Sequence, residues 1–291
     1  MSLDGIVVVN KPEGWTSHDV VAKMRGIAGT RRVGHLGTLD PIATGVLPVM
    51  IGQATRLARF WERSEKTYEA KIRFGFATTT YDRAGEPVGP VTSPSISREE
   101  LEAALESMRG EIEQVPPPVS AKKVKGVPAY KLARKNQAVE LAPVKVTIFE
   151  LNATEVASTW AKLRIRCSAG TYVRSIAHEL GQRLGCGAHV EELVRTQAGP
   201  FRLDQAWTLD ELQGHVEEAL VPAADLLPQF PPVYVDEETV SRIRQGRDFT
   251  VSPFRVNVGT AHVKAIDRAG KLVAIGKIAL PHVYHPVIVL T

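Results

Sequence analysis

Residues 161–185 read AKLRIRCSAGTYVRSIAHELGQRLG, and this stretch limits the possible folds more than any other. Leu163, Ile165 and Cys167 alternate with Lys162, Arg164 and Arg166, the period of a strand with one buried face and one basic face. The period then changes. Val173, Ile176, Ala177, Leu180 and Leu184 recur at helical spacing, so a strand passes through GTY directly into an amphipathic helix. A chain built this way needs a sheet whose apolar face is covered by helices. With 291 residues and 44% hydrophobic content, it can fold as a large central domain with a small one appended.

Other segments extend the pattern. GIVVV at 5–9 is a short buried strand ending at NKPEGW. A helix starts near Ser17, with Val20, Val21, Met24, Ile27 and Ala28 on one face and Gly29 closing it. GHLGTLDPIATGVL, 34–47, is expected as a loop that presents Asp40: Pro41 biases that aspartate toward extended backbone, and Gly34, Gly37 and Gly45 permit close approach. In YEAKIRF, Ala70, Ile72 and Phe74 face away from Lys71 and Arg73, as in a strand. Ser97 and Glu100 make a capping box for a helix running to Gly110, and Thr208 with Glu211 makes another. Between these, QVPPPVSAKKVKGVPAYKLARK is a stiff entry into a long excursion whose helical candidate is AYKLARK. VKVTIFEL resumes the sheet. At QFPPVY, 229–234, the composition changes, and beyond it a short helix and several brief strands suggest a β-rich unit of about 60 residues hinged at Pro231 and Pro232.

Charge placement is more informative than the net +4. Six basic residues and no acid lie between Lys122 and Lys135. Lys23, Arg25, Arg31 and Arg32 form a second acid-free group, and Lys162, Arg164, Arg166 and Arg174 a third. Such segregation suits a polyanionic partner. Cys167 and Cys186 have no CxxC spacing, no apolar run reaches roughly 18 residues, and the start has no basic segment leading into a long apolar core, so a reducing, cytoplasmic setting and no membrane are expected. His178 and His189 lack metal-ligand spacing and no GxSxG occurs, which argues against zinc and serine hydrolases.

Five motifs in order, KPEGWTSHDVV, GHLGTLDPIATGVLPVMIGQATR, KTYEAKIRFG, CSAGTYVRSIAHELG and GCGAHVEELVRTQAGPF, resemble the TruB-type tRNA pseudouridine synthases of the bacterial standalone type. The resemblance runs from about residue 5 to residue 230. It implies an α+β fold with a mixed, mainly antiparallel central sheet flanked by helices. A catalytic domain over 1–230 would carry a thumb-like insertion at about 116–145, followed by a small PUA-like RNA-binding domain over 231–291. It further implies isomerisation of the T-loop uridine at position 55 of tRNA to pseudouridine by base flipping, with no metal and no organic cofactor. A monomer acting on the T arm, with no obligatory protein partner, is expected.

Residue by residue, the resemblance makes Asp40 the catalytic carboxylate, with a nucleophilic role, and Arg174 its paired cation. Tyr68 would stack on the target uracil and assist proton removal. Tyr172 and Leu193 would line the same pocket, and His35 would fill the space the flipped base leaves. Lys11 and Pro12 would pack near the catalytic loop and shape the site. Lys122, Lys123 and Lys125 of the insertion would contact RNA phosphates. The chemistry suits a solitary acid, because an anionic oxygen near C1′ can stabilise or trap the electron-deficient sugar while uracil leaves and rejoins through C5. One position departs from the pattern: Leu36 follows His35 where the family commonly has threonine. Two other readings stay open on the sequence, a non-catalytic RNA-binding or RNA-remodelling protein and a guide-RNA-dependent relative.

Overall fold

The computed structural model of the protein describes residues 3–120, 123–124, 127–128, 141–254, 256–257 and 259–290. The AYKLARK helix candidate, Lys122, Lys125 and the side chain of Lys123 lie outside the described residues, as does most of the expected thumb.

One large sheet dominates. Its strands are β1 (Gly5–Lys11), β2 (Val33–His35), β3 (Ala43–Ile51), β4 (Lys66–Phe74), β5 (Gly110–Gln114), β6 (Val144–Ala157), β7 (Trp160–Cys167), β8 (Ala188–Ala198), β9 (Phe201–Arg202) and β10 (Val221–Pro222). The order across it is β10-β1-β3-β8-β4-β7-β6-β5, with β2 beside β3 and β9 beside β8. Every pairing is antiparallel except β8 with β3, so the sheet is mixed and mainly antiparallel as expected.

The apolar run GIVVV is buried on both faces. Val7 and Val9 join a core with Val20, Val21 and Met24 of α1 (Ser17–Ile27), while Ile6 and Val8 point the other way, toward Met50 and Leu57. Tyr68, Ala70, Ile72 and Phe74 share the first core with Leu163, Ile165 and Cys167. That face is covered by α2 (Arg98–Glu106) and α3 (Val173–Arg183) through Leu101, Leu105, Ile176 and Leu180. At about 1.5 to 3 kcal/mol per buried large apolar side chain, this layer is the main stabilising feature around the site.

The chain's last part forms a separate five-stranded sheet, β11 (Pro232–Tyr234), β12 (Phe249–Thr250), β13 (His262–Ile266), β14 (Leu272–Leu280) and β15 (Val283–Val289), in the order β11-β13-β14-β15-β12. Asp236 caps a short helix over Glu237–Arg244. Ile266, Leu272, Ile275 and Ile288 interlock with Ile6, Val8 and Met50 of the first sheet. Pro231 and Pro232 do not make a free hinge: Pro231 O accepts from Lys264 N at 3.0 Å, and Pro232 pairs with Lys264 inside the sheet.

Four further expectations are corrected. The segment 34–47 is not all loop, because β2 and β3 occupy its ends and leave a turn over 36–42. Gly45 hides the strand from the sequence: it sits at φ +97°, and a Cβ there would lie 2.3 Å from the Arg195 carbonyl oxygen of the parallel neighbour. The helix capped by Ser97 stops at Glu106 rather than Gly110, since Gly110 at φ +85° opens β5. The Thr208 capping box forms, with Glu211 N donating to Thr208 Oγ1, but only turns follow it and the helix is confined to Val216–Ala219. Gly214 at φ +91° interrupts that stretch. Finally, the basic face of β7 is not free. Lys162 pairs with Glu155 at 2.8 Å, Arg164 with Glu150 at 3.2 Å and Arg166 with Glu65 at 2.7 Å.

Candidate active site

Strand register assembles the site. Tyr68 on β4 pairs directly with Arg195 on β8 and with Ile165 on β7, so it is flanked on one sheet face by both neighbours. Leu193, two residues before Arg195, shares that face and pairs with Ala43, which follows the turn carrying Asp40. Above the sheet, the chain leaves β7 at Cys167, turns through 168–171 and starts α3 with Tyr172 at its cap position. The first turn of α3 therefore carries Arg174 over the 36–42 turn. A cavity of about 280 Å³ results, lined by Asp40, Tyr68, Tyr172, Arg174, Leu193 and Arg195, with Lys66 among the other lining groups.

Arg174 holds Asp40 with both arms of its fork. Nε donates to Oδ2 at 2.8 Å and Nη2 to Oδ1 at 3.0 Å. Two further protons are also used, Nη1 donating to Thr80 O and Nη2 to Val119 O, each at 3.0 Å. The arginine side chain is 4% exposed and the Asp40 side chain 33%, so the cation is fixed in protein while one side of the carboxylate opens into the cavity. This planar, bidentate arrangement is available to arginine and not to lysine.

The Asp40 turn is tied down from three sides. Ser17 Oγ accepts from Leu39 N at 2.9 Å and donates to Leu39 O at 3.2 Å. Arg195, almost wholly buried, donates to Val46 O, Gly37 O and Thr38 O at 2.7, 3.0 and 3.4 Å. Lys11, also buried, donates from Nζ to Trp15 O at 2.6 Å, Pro12 O at 2.9 Å and Pro41 O at 3.4 Å. It thereby ties the 12–15 turn to the residue after Asp40.

Burial lowers the Lys11 pKa from 10.5 to about 8, with the Asp40 charge opposing that fall. Because the folded value lies below the unfolded one, charging Lys11 destabilises the fold fully below pH 8, and this penalty fades between pH 8 and 10.5. The neutral amine has one proton fewer for its three carbonyls. We therefore expect turnover to fall on the alkaline side with a midpoint near pH 8. Lys11→Met should abolish that limb and lower stability by about 1–3 kcal/mol through its unpaired carbonyls. A pH-rate profile alongside denaturant unfolding checks both; an unchanged alkaline limb in the variant would refute the assignment.

Burial raises the Tyr68 pKa, with Arg195 opposing the rise, so the phenol keeps its proton at neutral pH. Burial raises Tyr172 as well, and its main chain is clamped by Gln114, which accepts from Tyr172 N and donates to Tyr172 O. His35 stands at the end of β2 outside the cavity lining, its ring edge-on to His18 at 5.7 Å and 78°. Burial lowers its pKa, and its Nδ1 has no hydrogen-bond partner among the described residues. Leu36, the departure noted above, is buried in the second core.

The structure thus gathers Asp40, Tyr68, Tyr172, Arg174 and Leu193 around one cavity and leaves His35 beside it. It also adds two residues that sequence reasoning missed. Arg195 had a signal, since it lies one strand period from Leu193. Asp82 had none: it is buried, 3.6 Å from Arg174 Nε, and accepts from Thr80 Oγ1 at 2.6 Å and Ala84 N at 3.0 Å.

Comparisons agree with this geometry. Residues 25–173 match the model of the TruB family pseudouridylate synthase N-terminal domain, and 174–228 that of the tRNA pseudouridylate synthase B C-terminal domain. The protein named tRNA pseudouridine synthase B from Solibacter usitatus (strain Ellin6076) is 57% identical over 293 residues, which cover 99% of this chain and 100% of that one. Its namesake from Thermobifida fusca (strain YX) is 47% identical over 238 residues, covering 79% of this chain and 80% of that one. The fold also resembles a chain in the structure of an H/ACA RNP bound to a substrate RNA containing 2'-deoxyuridine, with a TM-score of 0.69 at 23% identity over 99% of this chain and 85% of that one. With a carboxylate gripped by arginine beneath a tyrosine-lined cavity and matches spanning its length, this chain belongs to the TruB family of pseudouridylate synthases.

Proposed function

We propose that the protein isomerises a uridine in the T loop of tRNA, at position 55, to pseudouridine. The observation that carries this reading is the bidentate Arg174–Asp40 pair, which leaves one side of an anchored carboxylate open to the cavity. In the reaction the C1′–N1 bond breaks, the uracil turns, a C1′–C5 bond forms, C5 gives up its proton to solvent and N1 takes one up, so that the product is an isomer of the substrate. The Asp40 oxygen meets C1′ as N1 departs, where negative charge is most stabilising. In this reading Asp82 is not a second catalytic acid; it is committed to Thr80 and Ala84 and lies 3.6 Å from the same Arg174 Nε that donates to Asp40.

The other residues serve the flipped base. Tyr68 and Leu193 offer an apolar and aromatic wall for uracil, and Tyr172 lines the same cavity. Because Tyr68 stays a neutral phenol, its part in removing the C5 proton is a relay, the hydroxyl passing its own proton on to solvent as it takes the one from C5. His35, uncharged at neutral pH and with a ring nitrogen that has no hydrogen-bond partner among the described residues, is suited to fill the stack when the base leaves, which offsets part of an unstacking cost of a few kcal/mol. The five-stranded terminal sheet is the appended RNA-binding module in this reading.

The test is incubation with unmodified tRNA tritiated at uracil C5. Release of label from one T-loop site is expected; binding of tRNA without release would replace this reading with a non-catalytic one.

A further inference from the structure

We infer that the C-terminal end of α1 and the turn after it, carrying Lys23, Arg25, Arg31 and Arg32, form a contact surface for the phosphate backbone of the substrate RNA's T arm. This rests on the reading above that the substrate is a tRNA. The three acid-free basic groups of the sequence meet different fates. One lies mostly outside the described residues. In another, the three strand cations of β7 all have carboxylate partners and Arg174 is taken by Asp40. Lys23, Arg25, Arg31 and Arg32 are all exposed, and among the described residues none has a carboxylate within 4.0 Å.

The local fold brings Arg31 and Arg32 back to the last turns of α1, which carry Lys23 and Arg25. Gly29 at φ +62° turns the chain back, Thr30 N donates to Arg25 O at 3.2 Å and Arg32 N to Thr30 Oγ1 at 3.3 Å, so Arg31 and Arg32 sit against the helix end. Asp19, the acid of α1, is held at the opposite end by Thr16. Four full positive charges outweigh the roughly half negative charge of a helix C-terminus.

The surface is continuous with the site. The helix begins at Ser17, which is hydrogen-bonded to Leu39 beside Asp40. His18, Ala22 and Arg25 then follow on one exposed stripe, beginning at the His18 ring against His35. Ala22 and Gly26 are small, so a backbone can lie close. Ser17 to Arg25 spans about 12 Å at 1.5 Å per residue, the reach of three to four phosphates along a helical strand. A strand whose target nucleotide occupies the cavity therefore meets these cations within the T arm itself.

The experiment compares two variants that each remove four positive charges. One is Lys23→Gln with Arg25→Gln, Arg31→Gln and Arg32→Gln; the other is Lys71→Gln with Lys162→Gln, Arg164→Gln and Arg166→Gln, whose cations are already paired. Affinity for an isolated T-arm hairpin and for full-length tRNA is measured across salt concentrations, with melting temperature as a check on folding. The first variant should bind both RNAs at least about tenfold more weakly, with the salt slope reduced by between about 2 and 3.6. The second should change far less. A loss confined to full-length tRNA would move the contact to phosphates beyond the arm and overturn the T-arm placement. An unchanged slope, or equal losses in both variants, would overturn the surface itself. If the wild-type protein makes no pseudouridine, the activity reading fails, while the slopes still report whether this surface takes RNA.

Discussion

Asp40→Asn should bind unmodified tRNA as the wild-type protein does and release at least about 10⁴-fold less tritium per unit time. The substitution keeps size and shape and removes the charge. Arg174 would then face an amide with one acceptor oxygen, so one of its two hydrogen bonds to residue 40 is lost. A modest drop in melting temperature is expected, corresponding to about 1–3 kcal/mol. The separation of binding from rate is the informative feature, because the RNA is held by surfaces that this carboxylate does not touch. Weakened binding in proportion to lost activity would instead make Asp40 a positioning group.

Arg174→Gln should be the most destabilising single change in the site. It leaves the Asp40 carboxylate and the buried Asp82 carboxylate facing each other without a cation, and the carbonyls of Thr80 and Val119 without a donor. Removing one partner of a buried pair costs about 3–5 kcal/mol, and the lower end applies because Asp40 is a third exposed. Activity should fall at least about 10²-fold. Arg174→Lys should restore charge without the fork, recovering stability more than rate. Denaturant unfolding and single-turnover rates check this; a glutamine variant as stable and as fast as wild type would show that the pair is incidental.

The parts of the fold that were legible are those governed by one local period. The alternation of 68–74 and of 162–167 placed β4 and β7, and the helical spacing after Tyr172 placed α3, because burial on one face imposes those periods directly. Local hydrogen-bond chemistry was equally readable at Ser97 and Thr208, although the second cap was followed by turns. What escaped depends on distant pairing. Gly45 reads as a loop residue until the Arg195 backbone lies beside it, and the basic face of β7 reads as free until Glu65, Glu150 and Glu155 arrive from neighbouring segments. Asp82 is the clearest case, 42 residues from Asp40 in sequence and joined to it only through one guanidinium.

The central claim is that the anchored Asp40 oxygen reaches C1′ of an everted uridine. A structure of the protein bound to a T-arm hairpin carrying a slowly reacting 5-substituted uridine at the target position tests it directly. The expected result places an Asp40 carboxylate oxygen about 3–3.5 Å from C1′ with the base against Tyr68. A target base still stacked within the RNA, or an Asp40 turned away from the sugar, would contradict it.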